Sequence, residues 1–265
     1  MEESYRQNVL LKVSYVGSGF NGWQKQKKHG VALGGTIQEV LEIALGALHG
    51  HNVSTVAAGR TDSGVHAREQ GVSFFTNIKS ISEKQFPVAI NSFLPSTIRV
   101  MQAYFVKDNF SARFNALSRT YRYFIFLGDV IYPHQIPYCY HIKRRPSIEH
   151  LNRLASVLCG ETDFSFFASS KDASVSKSRY IKNAVFFIEG SYLVFEVCAT
   201  SFLYNMVRSI VGTLLEYERK KLDEECLKKA IVTKDRKLAG ATAPAKGLFL
   251  WSVEYPQDIF IKGSL

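Results

Sequence analysis

Two β-prone stretches, Tyr180 to Ile188 and Tyr192 to Thr200, alternate apolar and polar residues on either side of Glu189 and Gly190. So short a connection is the signature of a hairpin, because parallel neighbours need a crossover of a dozen residues or more. The hairpin therefore argues for an antiparallel sheet and against a doubly wound parallel one. It lies inside the second of two similar cycles. In the first, a strand from Val9 to Val16 precedes a helix opened by Thr36, with Glu39 three residues on in capping-box spacing and Ile37, Val40, Leu41, Ala44, Leu45 and Leu48 at helical intervals. Val53 to Ala58 and Val72 to Thr76 read as strands around a glycine-containing turn, Ser82 to Phe93 as helical, and Ile98 to Phe105 as a strand.

The second cycle starts with a strand from Thr120 to Leu127 and a proline-containing loop from Tyr132 to Pro146. Ser147 then caps a helix with Ile148, Leu151, Leu154 and Leu158 on one face. After the hairpin come helices at Phe202 to Arg219 and Asp223 to Val232 and a closing strand at Leu248 to Tyr255. The expected fold is α+β, with two similar halves, residues 1–112 and 113–265, sharing an extended, mainly antiparallel mixed sheet and a central cleft for a substrate.

Composition narrows the partner. Lys and Arg number 33 against 23 for Asp and Glu, a net charge of +10 that attracts polyanions, so nucleic acid leads. Cys139, Cys159, Cys198 and Cys226 are widely spaced, with no CxxC pair for zinc and no dense disulfide framework. The polar run from Met1 to Gln7 lacks the apolar core of a signal peptide, which predicts a cytoplasmic protein. Phe202 to Leu215 falls short of the roughly 20 apolar residues a membrane span requires and contains Arg208, so no span is expected.

Gly17, Gly19 and Gly22 satisfy G-x-G-x-x-G after a strand, but no helical period follows and Phe20 is too bulky for a pyrophosphate cradle. With Lys25, Lys27, Lys28 and His29, the segment reads instead as a basic loop, either solvated or set against RNA phosphates. Asp62-Ser63-Gly64 matches the short aspartic-protease signature, yet occurs once, and Arg60 favours an ionised carboxylate over a shared proton. His49, His51 and His66 lack the companions of a metal site and read as surface or hydrogen-bonded histidines. Gly59 to Ala67 (GRTDSGVHA) places an Arg and an Asp on a loop after a strand, either a surface ion pair or a catalytic loop.

This loop resembles the active-site segment of the tRNA pseudouridine synthase A family. Tyr15 to Gln26 (YVGSGFNGWQKQ), Phe110 to Tyr123 (FSARFNALSRTYRY), Gly160 to Phe167 (GETDFSFF), Phe202 to Leu214 (FLYNMVRSIVGTL) and Ala243 to Tyr255 (APAKGLFLWSVEY) resemble further family blocks in the same order. Val16 stands where the family usually has Asp, and Ser63 where Ala is common. Neither departure removes a catalytic group.

The resemblance implies a cofactor-free and metal-free isomerase that converts uridine to pseudouridine at tRNA positions 38, 39 and 40, working as a homodimer on tRNA. It implies Asp62 as nucleophile or base, Arg60 in flipping the nucleotide out of its stem, and Tyr121 against the flipped uracil. Arg208, a guanidinium costly to bury alone, is expected to pair with Asp62, the alternative being an Arg on the wet face of an amphipathic helix, while Lys25, Lys27 and Lys28 hold the RNA backbone. Two other readings stay open: a non-catalytic RNA-binding module, and a pseudouridine synthase acting on another RNA.

Overall fold

The structure, a computed structural model, describes residues 6–28, 31–32 and 35–261. In chain order these form β1 (Gln7–Tyr15), β2 (Lys27–Lys28), β3 (Val31–Ala32), α1 (Ile37–His49), β4 (Val56–Ala57), β5 (His66–Thr76), α2 (Phe86–Asn91), β6 (Ile98–Val106) and β7 (Ser118–Leu127). Then follow β8 (Tyr140–Ile142), α3 (Ile148–Ser156), β9 (Gly160–Asp163), β10 (Ser178–Glu189), β11 (Tyr192–Ala199), α4 (Met206–Arg219), α5 (Glu224–Thr233) and β12 (Leu248–Glu254). The chain divides into two compact units, Met1–Leu117 with Leu250–Leu265, and Ser118–Phe249. A division at 112/113 in chain order leaves the closing strand with the second half. In the folded chain residues 250–261 return to the first unit, where Leu117 N–H donates to Glu254 O at 2.8 Å and Val106 bridges Phe260.

In the first unit β1 lies between β5 and β6 and is antiparallel to both. Val9, Leu10, Leu11 and Val13 have no exposed surface, which accounts for a nearly continuous apolar run where one solvated face calls for alternation. Thr36 caps α1 through its hydroxyl, which accepts the Glu39 N–H at 3.4 Å, and Gly50 ends it at φ 73° with its N–H on Gly46 O. Ile37, Leu41, Ala44 and Leu45 are buried.

The second unit orders its strands β7-β11-β10-β9 antiparallel, and β8 joins β7 in parallel. The predicted hairpin is present, with Glu189 opposite Tyr192. Asn152 clamps α3 onto β10 by donating to Phe186 O at 2.9 Å and accepting the Phe186 N–H at 2.7 Å. Ser147 caps α3, and its own N–H donates to the buried Glu218 carboxylate on α4 at 2.8 Å. The α+β class, with mostly antiparallel pairing and β8 parallel to β7, agrees with the reading from sequence.

Some boundaries differ for physical reasons. β5 begins six residues earlier than Val72, because polar-looking His66 to Gly71 pairs with β1, Ala67 opposite Tyr15 and Gln70 opposite Val13. α2 is shorter than Ser82 to Phe93, since Ser82 to Gln85 forms a turn in which the Gln85 side chain accepts from Ser82. α4 starts at Met206, not Phe202, because Asn205 is left-handed at φ 62°. The short strands β8 and β9 fell within stretches read as loop or turn. Their partners, β7 and β10, lie a dozen or more residues away in sequence.

Candidate active site

The loop from Gly59 to Val65 joins β4 to β5 and is held by both flanks. Within it, Val65 N–H donates to Asp62 O at 3.1 Å, closing a turn in which Gly64 takes φ 77°. From the segment after β1, Trp23 N–H donates to Thr61 O at 3.1 Å, and the Tyr15 and Thr61 hydroxyls share a buried hydrogen bond of 2.8 Å. The Ser63 hydroxyl donates to Phe20 O at 3.0 Å, and Gln70 donates to Gly59 O at 2.8 Å. Thr61 and Ser63 are therefore anchored on either side of a half-buried Asp62, with Arg60 exposed two residues before. Burial pushes the Tyr15 phenol far above its ordinary range, against hydrogen bonds from Thr61 and Gln70, so the group stays neutral as a hydrogen-bonding prop.

The glycines before this loop have a role that their G-x-G-x-x-G spacing does not reveal. A Cβ on Gly17 would lie 2.0 Å from Val65 O, and one on Gly22 would lie 2.7 Å from Thr61 O. They permit one backbone to lie against another, and the partner is the Asp62 loop. Gly22 also takes φ 83°, where any side chain is strained.

His66 is fully buried and its Nδ1 accepts the Gly17 N–H at 3.1 Å. His49 bonds Leu45 O at 2.7 Å and the Thr76 hydroxyl at 3.0 Å, and burial lowers its pKa. Both are hydrogen-bonded, as the sequence suggested. Among the described residues, no three His, Cys, Asp or Glu side chains gather in a way that could hold a metal ion.

Of the basic segment, Lys25 is exposed and forms an ion pair with Glu42, whose carboxylate also accepts from Thr55 and Gln38. Lys27 and Lys28 belong to a two-residue strand opposite Ala32 and Val31, where a mere loop was expected. Their side chains, like His29, lie outside the described residues.

In the second unit Tyr121 lies on β7 and Arg208 on α4, and Tyr123, two residues along β7 from Tyr121, feels the charge of Arg208. On β7, Tyr121, Tyr123 and Ile125 share a buried face, and Tyr121 meets Phe202 edge-on with centroids 5.0 Å apart. Tyr121 is 8 % exposed. Arg208 is half-buried on α4; its Nε donates to Ala243 O at 2.8 Å and its Nη1 to Asn205 Oδ1 at 3.1 Å, while Ala243 N–H donates back to Arg208 O at 3.1 Å. The Tyr123 hydroxyl donates to Pro244 O at 2.8 Å. Burial raises the Tyr123 pKa well above the phenol range, and the positive charge of Arg208 only partly opposes it.

One turn further out, Asp172 secures the entry to α4. It accepts from Lys177 Nζ at 2.6 Å, from the Tyr204 N–H at 2.6 Å and from the Ser174 N–H at 2.9 Å, and its side chain is 4 % exposed. Sequence reading did not find Tyr15, Tyr123, Asp172 or Asn205. Only Asn205 carried a local signal, as a residue tolerant of left-handed backbone just before an apolar helical run.

An α+β fold with a pinned Asp loop does not by itself name a reaction, and comparison with known proteins fixes the class. The family model described as tRNA pseudouridine synthase matches residues 12–115 and 154–256. The chain is 53% identical over 260 residues to tRNA pseudouridine synthase A of Treponema denticola, covering 98% of this chain and 97% of that one. It is 41% identical to the same enzyme of Treponema pallidum, over 88% and 83%, and 38% identical to that of Francisella tularensis subsp. holarctica, over 96% of each. The chain belongs to the tRNA pseudouridine synthase family, and it is an isomerase of uridine.

Proposed function

We propose that this enzyme converts uridines at positions 38, 39 and 40 of the tRNA anticodon arm to pseudouridine, with Asp62 starting the reaction. The observation that carries the reading is the clamp on the Asp62 loop: four hydrogen bonds and two glycine-dependent backbone contacts hold its neighbours, leaving the carboxylate itself half-buried. Such fixed presentation suits a group that must meet a flipped nucleotide at one geometry.

The reaction breaks the bond between ribose C1′ and uracil N1 and forms one between C1′ and C5; C5 loses a proton and N1 gains one. All atoms come from the substrate, so no cofactor takes part. Asp62 either attacks the nucleotide or removes a ribose proton, and each route uses it ionised. Arg208 is the cation proposed to serve it, Arg60 takes part in flipping, and Tyr121 lies against the uracil, with its hydroxyl available for the C5 proton. Lys25, Lys27 and Lys28 contact RNA phosphates. For Lys25 this means exchanging Glu42, a largely buried carboxylate that keeps its hydrogen bonds from Thr55 and Gln38, for a phosphate. The enzyme acts as a cytoplasmic homodimer.

The test is a tRNA transcript tritiated at C5 of uridine, incubated without cofactor or added metal. Wild type should release tritium and Asp62→Asn should not. Absence of release by wild type would favour a non-catalytic RNA-binding module or a different RNA substrate.

A further inference from the structure

Phe114 is 80 % exposed, the most exposed aromatic side chain among the described residues. A single apolar residue at the surface is ordinary. What sets this one apart is the rigidity of its support. The turn from Lys107 to Leu117 is tied to the first unit by buried polar groups: Asn8, 1 % exposed, donates to Lys107 O at 3.1 Å and to Phe110 O at 2.8 Å. Ala112 N–H donates to the Ser73 hydroxyl at 3.1 Å, and Ala112 O accepts from the Tyr255 hydroxyl at 2.9 Å. That hydroxyl reaches Ala112 past Gly71, where a Cβ would lie 2.1 Å from it. Ser111 and Asn115 close the turn, the Asn115 N–H donating to Ser111 O at 3.0 Å and Asn115 Oδ1 accepting the Ser111 N–H at 2.8 Å.

Phe110 and Ala112 are buried while Arg113 and Phe114 project outward, and the Arg113 guanidinium carbon sits 5.4 Å from the Phe114 ring centroid. The cation engages the aromatic ring, and the exposure leaves ring surface open. A fixed aromatic face beside a guanidinium fits a nucleobase with its phosphate: every base offers a π-face to stack on, and the cation meets the backbone. The chain's net charge of +10 favours a polyanion as the occupant.

We infer that Phe114 and Arg113 form a stacking site for a nucleobase of the RNA substrate, a contact additional to the residues of the reaction. The inference rests on the reading of this enzyme as acting on tRNA. A rigid turn suits it, because little ordering entropy is then spent on binding.

The experiment measures binding of an unmodified tRNA transcript across a salt series. Phe114→Ala should weaken binding by about 5- to 50-fold, in line with loss of one stacked base, and leave the salt slope as in wild type. Phe114→Tyr should restore affinity, and Arg113→Ala should lower the slope by about one counterion. Phe114→Trp should show tRNA-dependent quenching beyond that of Trp23 and Trp251 in the wild type. Affinity of Phe114→Ala within about twofold of wild type, with no added quenching in Phe114→Trp, overturns the inference. So does a fall in molar mass by light scattering in Phe114→Ala without tRNA, which assigns the ring to a second copy of the chain. Tritium release by wild type, measured on the same transcript, tests the tRNA reading separately.

Discussion

Asn205 accepts a hydrogen bond from Arg208 across the first turn of α4 while holding a left-handed backbone, Oδ1 to Nη1 at 3.1 Å and φ 62°. Two jobs fall on one residue. Its conformation starts the helix where it does, and its side chain fixes one nitrogen of the cation proposed to serve Asp62. The two are separable by substitution. Asn205→Gly keeps the backbone and removes the acceptor; Asn205→Ala removes the acceptor and adds left-handed strain of about 1–2 kcal/mol. Both variants should lose about 10- to 100-fold in single-turnover tritium release, the scale of a hydrogen bond to a charged group, but only Asn205→Ala should also lower the melting temperature. Equal melting temperatures for the two would show that the backbone carries no strain there.

Asp172 gives the same region a pH dependence. Burial alone raises its carboxyl pKa, but hydrogen bonds from Lys177, the Tyr204 N–H and Ser174 outweigh burial and hold it well below the usual carboxylate range. The folded value lies under the unfolded one. The contribution to stability is therefore complete above about pH 4, the ordinary Asp value, and is lost as pH falls towards the folded value. Thermal melts of wild type should show this loss on the acid side, and Asp172→Asn should flatten that limb. At pH 7 the variant should be destabilised by about 3 kcal/mol, because Lys177 is left beside an uncharged partner. An unchanged acid limb in Asp172→Asn would assign the loss to other carboxylates.

Gly17 offers the sharpest steric test. A methyl group there meets Val65 O at 2.0 Å, so Gly17→Ala must move either the strand end or the Asp62 loop. A displacement near 1 Å at a reacting group costs about 100-fold in rate. Gly17→Ala should therefore lose about two orders of magnitude in tritium release. Near-wild-type release would mean that the loop yields without moving Asp62.

Ser63 should be far more forgiving. Its hydroxyl makes one exposed hydrogen bond, to Phe20 O, at a position where the family commonly has Ala. Ser63→Ala leaves the Tyr15, Trp23 and Gln70 anchors in place, and activity within about threefold of wild type is expected from the loss of one such bond. A loss beyond tenfold, in the same tritium assay, would make the hydroxyl part of the reaction.

What could be read in advance depended on how far the physical cause lay along the chain. The β10–β11 hairpin and the caps Thr36 and Ser147 were legible because pattern and cause sit within a few residues. Arg60 and Asp62 stand two residues apart on one loop and could be read together, but their spacing left a surface ion pair and a catalytic loop equally open, and only the resemblance chose between them. Asp172 was not: Lys177 and Ser174 lie within five residues of it, but the partner that ties it to the entry of α4 is the Tyr204 N–H, 32 residues later. Tyr123 was hidden likewise, its hydroxyl acceptor being Pro244. The first half of β5 carries a polar sequence and is a strand where β1 lies beside it, far off in sequence. Gly17 and Gly22 were visible as a motif, but their purpose depends on which backbone they approach, and no spacing rule states that.

Tyr121 joins an ordinary packing role to a proposed chemical one, and Tyr121→Phe separates them. The ring is 8 % exposed on the buried face of β7 and packs edge-on against Phe202, so Phe fills the same volume and keeps that contact. Removing a hydroxyl that moves the C5 proton should slow the chemical step by about 100-fold or more, the range of general acid–base catalysis. Melting temperature should change little. Tyr121→Ala, by contrast, should lose both, since deleting a buried aromatic ring costs about 3–5 kcal/mol. The informative comparison is the tritium burst in a single turnover. A burst in Tyr121→Phe as fast as in wild type, with a stable fold, would leave Tyr121 as a packing and stacking residue and move the proton-transfer role to another group.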